Sequence, residues 1–284
     1  MIIVRLSGGL GNQMFEYALY LSLRARGKEV KTDDWSDYRA ADRRPMQLGV
    51  FGLSYDRASE EEVIRFTDSS MAPLQRIRRK LTGRKSRVYR ERDMEYDPEV
   101  FRKDPAYLEG FFQSEKYFAG IREEVRQAFT FRNLSLPEAY ENYLKKIENT
   151  MSVSVHVRRG DYLAASHNGI YENICTVEYY ERAIARIREK WPEAVCYLFT
   201  NDLPWVREHL AGPDRVLVEG GSEATGYLDL YLMSRCRHHI IANSSFSWWG
   251  AWLGDDPEKT VIAPDRWMND RECRDIYTED MIRI

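Results

Sequence analysis

From Ser152 onward the chain alternates short apolar runs with amphipathic helical stretches, and this alternation restricts the fold more than any other feature. Strands are predicted at Ser152 to Val157, Ala194 to Phe199, Val216 to Glu219, His239 to Ala242 and Thr260 to Ala263. Helices are predicted between them. One follows a cap at Thr176 and buries Tyr180, Ala183, Ile184 and Ile187; others span Pro204 to Leu210, Glu223 to Ser234 and Trp248 to Leu253. Strands joined by helices imply an α/β fold with a parallel sheet and right-handed crossovers. Ligands of such sheets bind where the strands end at their carboxyl side. The unusual polar segments RRGDY, TND, EGGS and NSSFS each follow a predicted strand end, so they are expected to converge on one pocket.

The N-terminal end has the same beginning. Ile2 to Leu6 reads as a buried strand, SGGLGNQ as a glycine-rich loop and Gln13 to Arg26 as a helix with Met14, Tyr17, Ala18 and Leu21 on one face. Gly27 stops it, and a strand at Glu29 to Thr32 completes a β-α-β unit. The region from Asp34 to Thr150 mixes short helices, at Glu60 to Phe66, Tyr117 to Phe129 and Glu138 to Glu148, with turns and aromatic segments such as EGFFQS. Two domains are expected, residues 1–150 and 151–284.

Charge and cysteine usage narrow the function. A net charge of −3 gives the whole molecule no bias toward nucleic acid. The run RIRRKLTGRKSRVYRER, Arg76 to Arg92, departs from that balance and reads as a solvated helix and loop, or as a patch for an anionic surface. Cys175, Cys196, Cys236 and Cys273 are scattered without a Cys-x-x-Cys pair, which fits a reducing compartment better than a zinc site. With neither a signal-peptide pattern nor a membrane-spanning apolar run, the chain is expected to be cytoplasmic.

The loops suggest anion chemistry. Gly9 and Gly11 match the start of a dinucleotide fingerprint, but Met14 stands where its third glycine belongs. Backbone N–H groups at a helix start, with the amides of Asn12 and Gln13, suit an anion, or else form a tight turn capped by Asn12. In HVRRGDY, Arg158 and Arg159 can clamp a diphosphate; strand alternation turns one of them to the ligand and leaves the other to pair with Asp161. Asp202 offers a carboxylate to the adjacent N–H donors of guanine, or is a helix cap. Asn243, Ser244 and Ser245 precede a helix, again suiting phosphate, while Phe246, Trp248 and Trp249 either stack on a base or fill the core. No Asp-x-Asp motif is present, so no metal is expected and cationic side chains and helix dipoles would neutralise a leaving diphosphate.

SGGLGNQMFEYA, HVRRGDY, FTND with Trp205, and NSSFSWWGAWL, in this order, closely resemble segments of the α-1,2-fucosyltransferase family, over residues 6 to about 265. The resemblance implies a GT-B-type architecture of two Rossmann-like domains, the C-terminal one binding GDP-fucose and the N-terminal one the acceptor. It implies inverting transfer from GDP-β-L-fucose to a galactose 2-hydroxyl without a metal or other cofactor. His156 and Asp202 would contact guanine, Arg158 the β-phosphate, and Ser244, Ser245 and Phe246 would lie beside the nucleotide. Gly9, Gly11 and Asn12 would border the diphosphate and fucose. Some related enzymes carry a Glu shortly after the arginine motif, where this chain reads Leu163 to His167. Asp161, Glu172 and His167 are then the candidates for the base, unless GDP departs first and water suffices. The alternatives are a fucosyltransferase of other linkage or acceptor, and an inactive nucleotide-sugar-binding protein. A lipid-linked glycan acceptor would bring the basic run to an anionic membrane.

Overall fold

A computed structural model describes residues 1–37, 45–132, 134–159 and 169–284. The chain forms two compact units, Met1–Thr130 and Phe131–Ile284. The expected boundary at residue 150 is thus corrected to Thr130. The reason is helix α5 (Glu138–Glu148), whose Tyr140 and Ile147 are buried in the apolar cluster of the second unit. Tyr140 also donates its hydroxyl to Asp229 across 2.7 Å.

The first unit holds strands β1 (Ile2–Arg5), β2 (Val30–Asp33), β3 (Val88–Arg90) and β4 (Ala106–Glu109) in the order β2-β1-β4-β3, all parallel. Helix α1 (Leu10–Ala25) connects β1 to β2; α2 (Glu60–Thr67) and α3 (Pro73–Thr82) precede β3, and α4 (Arg122–Ala128) closes the unit. Helix α1 begins three residues ahead of its expected start because Leu10 and Met14 both bury their side chains, which pulls Gly11 into the first turn. The single helix expected over Tyr117 to Phe129 is instead broken. Two 3-10 turns, Glu115–Tyr117 and Ala119–Ile121, precede α4, and Gly120 within the second supplies no helix-favouring side chain.

The second unit carries β5 (Ser152–Val157), β6 (Val195–Thr200), β7 (Arg215–Leu217), β8 (His238–Ile240), β9 (Val261–Ala263) and β10 (Met281–Arg283) in the parallel order β10-β9-β8-β5-β6-β7. Helices α6 (Val177–Arg188), α7 (Leu203–His209), α8 (Gly226–Arg235) and α9 (Ser245–Leu253) join them. Strand β6 explains the layering. Cys196 and Leu198 face a cluster containing Tyr180, Ile184 and Ile187 of α6 and Val206 of α7. Tyr197 and Phe199 face the opposite cluster, with Tyr140 of α5 and Leu228 and Leu232 of α8. A sheet buried on both faces reads as a nearly continuous apolar run, as this one does. Thr176 caps α6 as expected, accepting from the Tyr179 N–H.

Candidate functional site

In the second unit the chain leaves β5 for β6 and β7 on one side, then returns to β8 on the other. The ends of β5 and β8 therefore flank the point where the winding reverses, the place where such sheets open a crevice. His156, one residue before the end of β5, is 5% exposed, and its ring lies 5.6 Å from that of Phe246 at the start of α9. Its backbone oxygen accepts the Tyr180 hydroxyl, which ties strand to helix.

Arg158 and Arg159 follow the strand. The Arg159 guanidinium lies 4.0 Å over the Trp205 ring, with Nε 3.6 Å from the Asp202 carboxylate. Arg159 thus pairs with Asp202; Asp161, the partner expected for one of the two arginines, lies outside the described residues, as does His167. Asp202 also caps α7, accepting the Trp205 N–H at 3.2 Å. The helix-cap reading is the one observed; a carboxylate has lone pairs beyond those its cap uses, so capping is compatible with a ligand contact.

Arg158, Arg159, Tyr171, Glu172, Asn173, Cys175 and Asn243 line one small recess. Asn243 is fixed there: its amide donates to the Trp267 carbonyl at 3.0 Å and its oxygen accepts from the Cys175 thiol at 3.5 Å. Burial pushes the Cys175 thiol up to about 12, so it is a neutral wall and not a nucleophile. Ser244 occupies the N-cap of α9 in extended conformation, and its hydroxyl does not close on the helix. The first-turn N–H groups add partial positive charge beside the two arginines. Among the described residues of this lining, Glu172 is the one carboxylate. Sequence reasoning had selected Arg158, Glu172 and Asn243; it had not selected Tyr171 or Cys175, whose types carry no signal for such a place.

The glycine-rich loop belongs to the first unit. Gly8 has φ +67°, and a Cβ there would meet Asn12 Nδ2 at 2.7 Å, so glycine is required for both reasons. Gly9, not Asn12, is the N-cap of α1. Asn12 instead accepts from the Gln113 amide at 2.9 Å, linking the first turn of α1 to the loop after β4, the strand beside β1. Gln13 departs from expectation most clearly. It is fully buried, with Nε2 donating to the carbonyls of Gly8 and Pro45 and its oxygen accepting the Gln47 N–H, so it staples the loop and offers no ligand contact. Gly11 is buried within the first helical turn. Two carboxyls, buried Glu16 and half-buried Glu91, hold the same end of the sheet. Glu16 accepts both the N–H and the hydroxyl of Ser7, and burial raises it well above the usual carboxyl range. Glu91, pushed up to about 7 by burial, accepts the N–H groups of Phe111 and Phe112.

An α/β crevice lined by arginines, a helix start and one carboxylate is suited to a phosphorylated donor and a proton acceptor, the chemistry of group transfer. Residues 90–284 match the family model described as Glycosyl transferase family 11, and the chain belongs to that family. It is a glycosyltransferase. It is 32% identical over 282 residues to the O-antigen biosynthesis glycosyltransferase WbnK of Escherichia coli, covering 92% of this chain and 93% of that one. It is also 32% identical over 298 residues to an alpha-1,2-colitosyltransferase of Escherichia coli, covering 100% of this chain and 98% of that one. Among solved structures, a FUT1 variant of Arabidopsis thaliana in complex with GDP overlays with a TM-score of 0.49 at 10% identity, over 94% of this chain and 71% of that one. The fold assignment rests on the two parallel sheets and not on that overlay. The family resemblance seen in the motifs is borne out; the parts played by individual residues are a separate matter.

Proposed function

We propose that this glycosyltransferase moves L-fucose from GDP-β-L-fucose to the 2-hydroxyl of a galactose in a glycan acceptor, with inversion and without a divalent ion. The observation that carries the reading is the meeting of Arg158, Glu172 and Asn243 in one recess at the reversal point of the second sheet. In this reading the acceptor oxygen attacks C1 of the fucosyl group as the bond from C1 to the β-phosphate oxygen breaks. The bonding pair leaves with GDP, whose growing charge meets Arg158 and the start of α9. The acceptor proton passes to Glu172. His156 on β5 and Asp202 at the cap of α7 hold the guanine, and Ser244, Ser245 and Phe246 border the nucleotide.

Among the described residues no helix is long and apolar enough to cross a membrane. The relation to an O-antigen biosynthesis enzyme supports an oligosaccharide or lipid-linked acceptor. The test is turnover of GDP-fucose with a β-galactoside, with the anomeric configuration of the product read by NMR. An α-linked product at the 2-position is expected, and Glu172→Gln should lower kcat by about a hundredfold or more with the donor KM held. Native turnover in that variant would remove Glu172 as the base.

The colitosyltransferase relative supports a second reading, transfer of colitose, which is L-fucose lacking its 3-hydroxyl. A site that bonds the 3-hydroxyl rejects the deoxy sugar by roughly 10⁴, whereas an apolar site discriminates far less. The ratio of kcat/KM for GDP-fucose and GDP-colitose therefore decides between the two donors.

A further inference from the structure

Among the described residues, helix α3 is unlike the other helices of at least ten residues, because it buries none of its side chains. Six large apolar side chains stand exposed among the described residues, and four of them lie on this one segment: Met71 at 74%, Leu74 at 79%, Ile77 at 55% and Leu81 at 78%. Leu74, Ile77 and Leu81 recur at i, i+3 and i+7, so they form one continuous apolar stripe. The surrounding charge has a single sign. From Ser69 to Arg90 the sequence contains no Asp or Glu, although the whole molecule is net negative at −3. Arg76, Lys80, Arg84 and Lys85 are all exposed.

The helix is nevertheless anchored. Buried Asp68 pairs with Arg78, accepts the Lys85 N–H at 3.0 Å, and lends its carbonyl to Arg79 at 3.4 Å. These bonds hold α3 by its polar side and leave the apolar stripe outward. We infer that α3 is an in-plane docking surface for an anionic phospholipid bilayer. Leu74, Ile77 and Leu81 enter the boundary of the acyl chains, and Arg76, Lys80, Arg84 and Lys85 meet the headgroup phosphates. At about 15 Å the helix is too short to span a bilayer and long enough to lie in its surface. Charge selects this occupant over the others. A second copy of the chain would bring equally positive flanks face to face, and a nucleic acid would leave the apolar stripe in water.

Vesicle sedimentation tests this without any turnover, so its failure would leave the glycosyl-transfer reading untouched. The full chain should sediment with phosphatidylethanolamine–phosphatidylglycerol vesicles and not with phosphatidylcholine vesicles, and salt should weaken the binding. Replacing Leu74, Ile77 and Leu81 together by Ser should lower the partition roughly tenfold or more, as should Arg76→Glu with Lys80→Glu. Since α3 buries nothing, both variants should keep the native melting temperature. Equal partition of native and variant chains would overturn the proposal. So would a native chain that ignores anionic vesicles, or a serine variant that changes only from dimer to monomer by light scattering.

Discussion

At the end of β6 the Asp202 carboxylate both caps α7 and lies 3.6 Å from Arg159, and these two roles respond differently to substitution. Asn caps a helix as well as Asp, so Asp202→Asn should hold the melting temperature, whereas Asp202→Ala should cost about 1 kcal/mol. If the same carboxylate accepts the two N–H donors of guanine, Asp202→Asn should still raise the donor KM about tenfold, because a charge-assisted bond is lost. A donor KM unmoved in the Asn variant would leave Asp202 a cap and nothing more. Residue by residue, the meeting of Arg158, Arg159 and Glu172 in one recess was legible from the strand end that precedes them. Gln13 was not readable. Its partners Pro45 and Gln47 lie 32 and 34 residues away, and an amide in a glycine-rich loop looks the same whether it serves a ligand or the backbone.

Strand β5 and helix α5 have the bounds their patterns predicted, Ser152–Val157 and Glu138–Glu148. Each has a strong period and a clear stop, and each is packed by residues of its own kind. Strands β3, β4 and β10 went unseen. Val88–Arg90 and Met281–Arg283 have three residues each and contain an arginine, and they exist because a neighbouring strand pairs with them. Helix α9 starts at Ser245, earlier than its tryptophans suggested, which places the SSF segment on the helix start instead of in a loop. Its position depends on close contact with α8. A Cβ on Gly250 would stand 2.9 Å from Met233 Cβ, so Gly250→Ala should overpack that contact and destabilise the chain by about 1–3 kcal/mol. Chemical denaturation gives the measurement, and an unchanged midpoint would show that α9 has slack against α8.

Across the molecule, composition and alternation were enough to announce two α/β units, but not where one gives way to the next. The misplaced boundary follows from α5, whose sequence says helix and cannot say which sheet it covers; Tyr140 and Ile147 settle that by burying against α8 and β6. The same limit applies to the recess. Strand ends can be read from periodicity, while their spatial order, β8 beside β5 beside β6, comes only from pairing. That order brings Arg158 and the α9 start to opposite sides of one crevice, where they would take up the charge of departing GDP. The rate of fucosyl transfer in chelator-treated buffer, native against Arg158→Ala, tests this most directly. The native enzyme should keep its rate and the variant should lose about a hundredfold, equivalent to roughly 3 kcal/mol of transition-state stabilisation. A native enzyme silenced by the chelator, or a variant that turns over normally, would contradict the account.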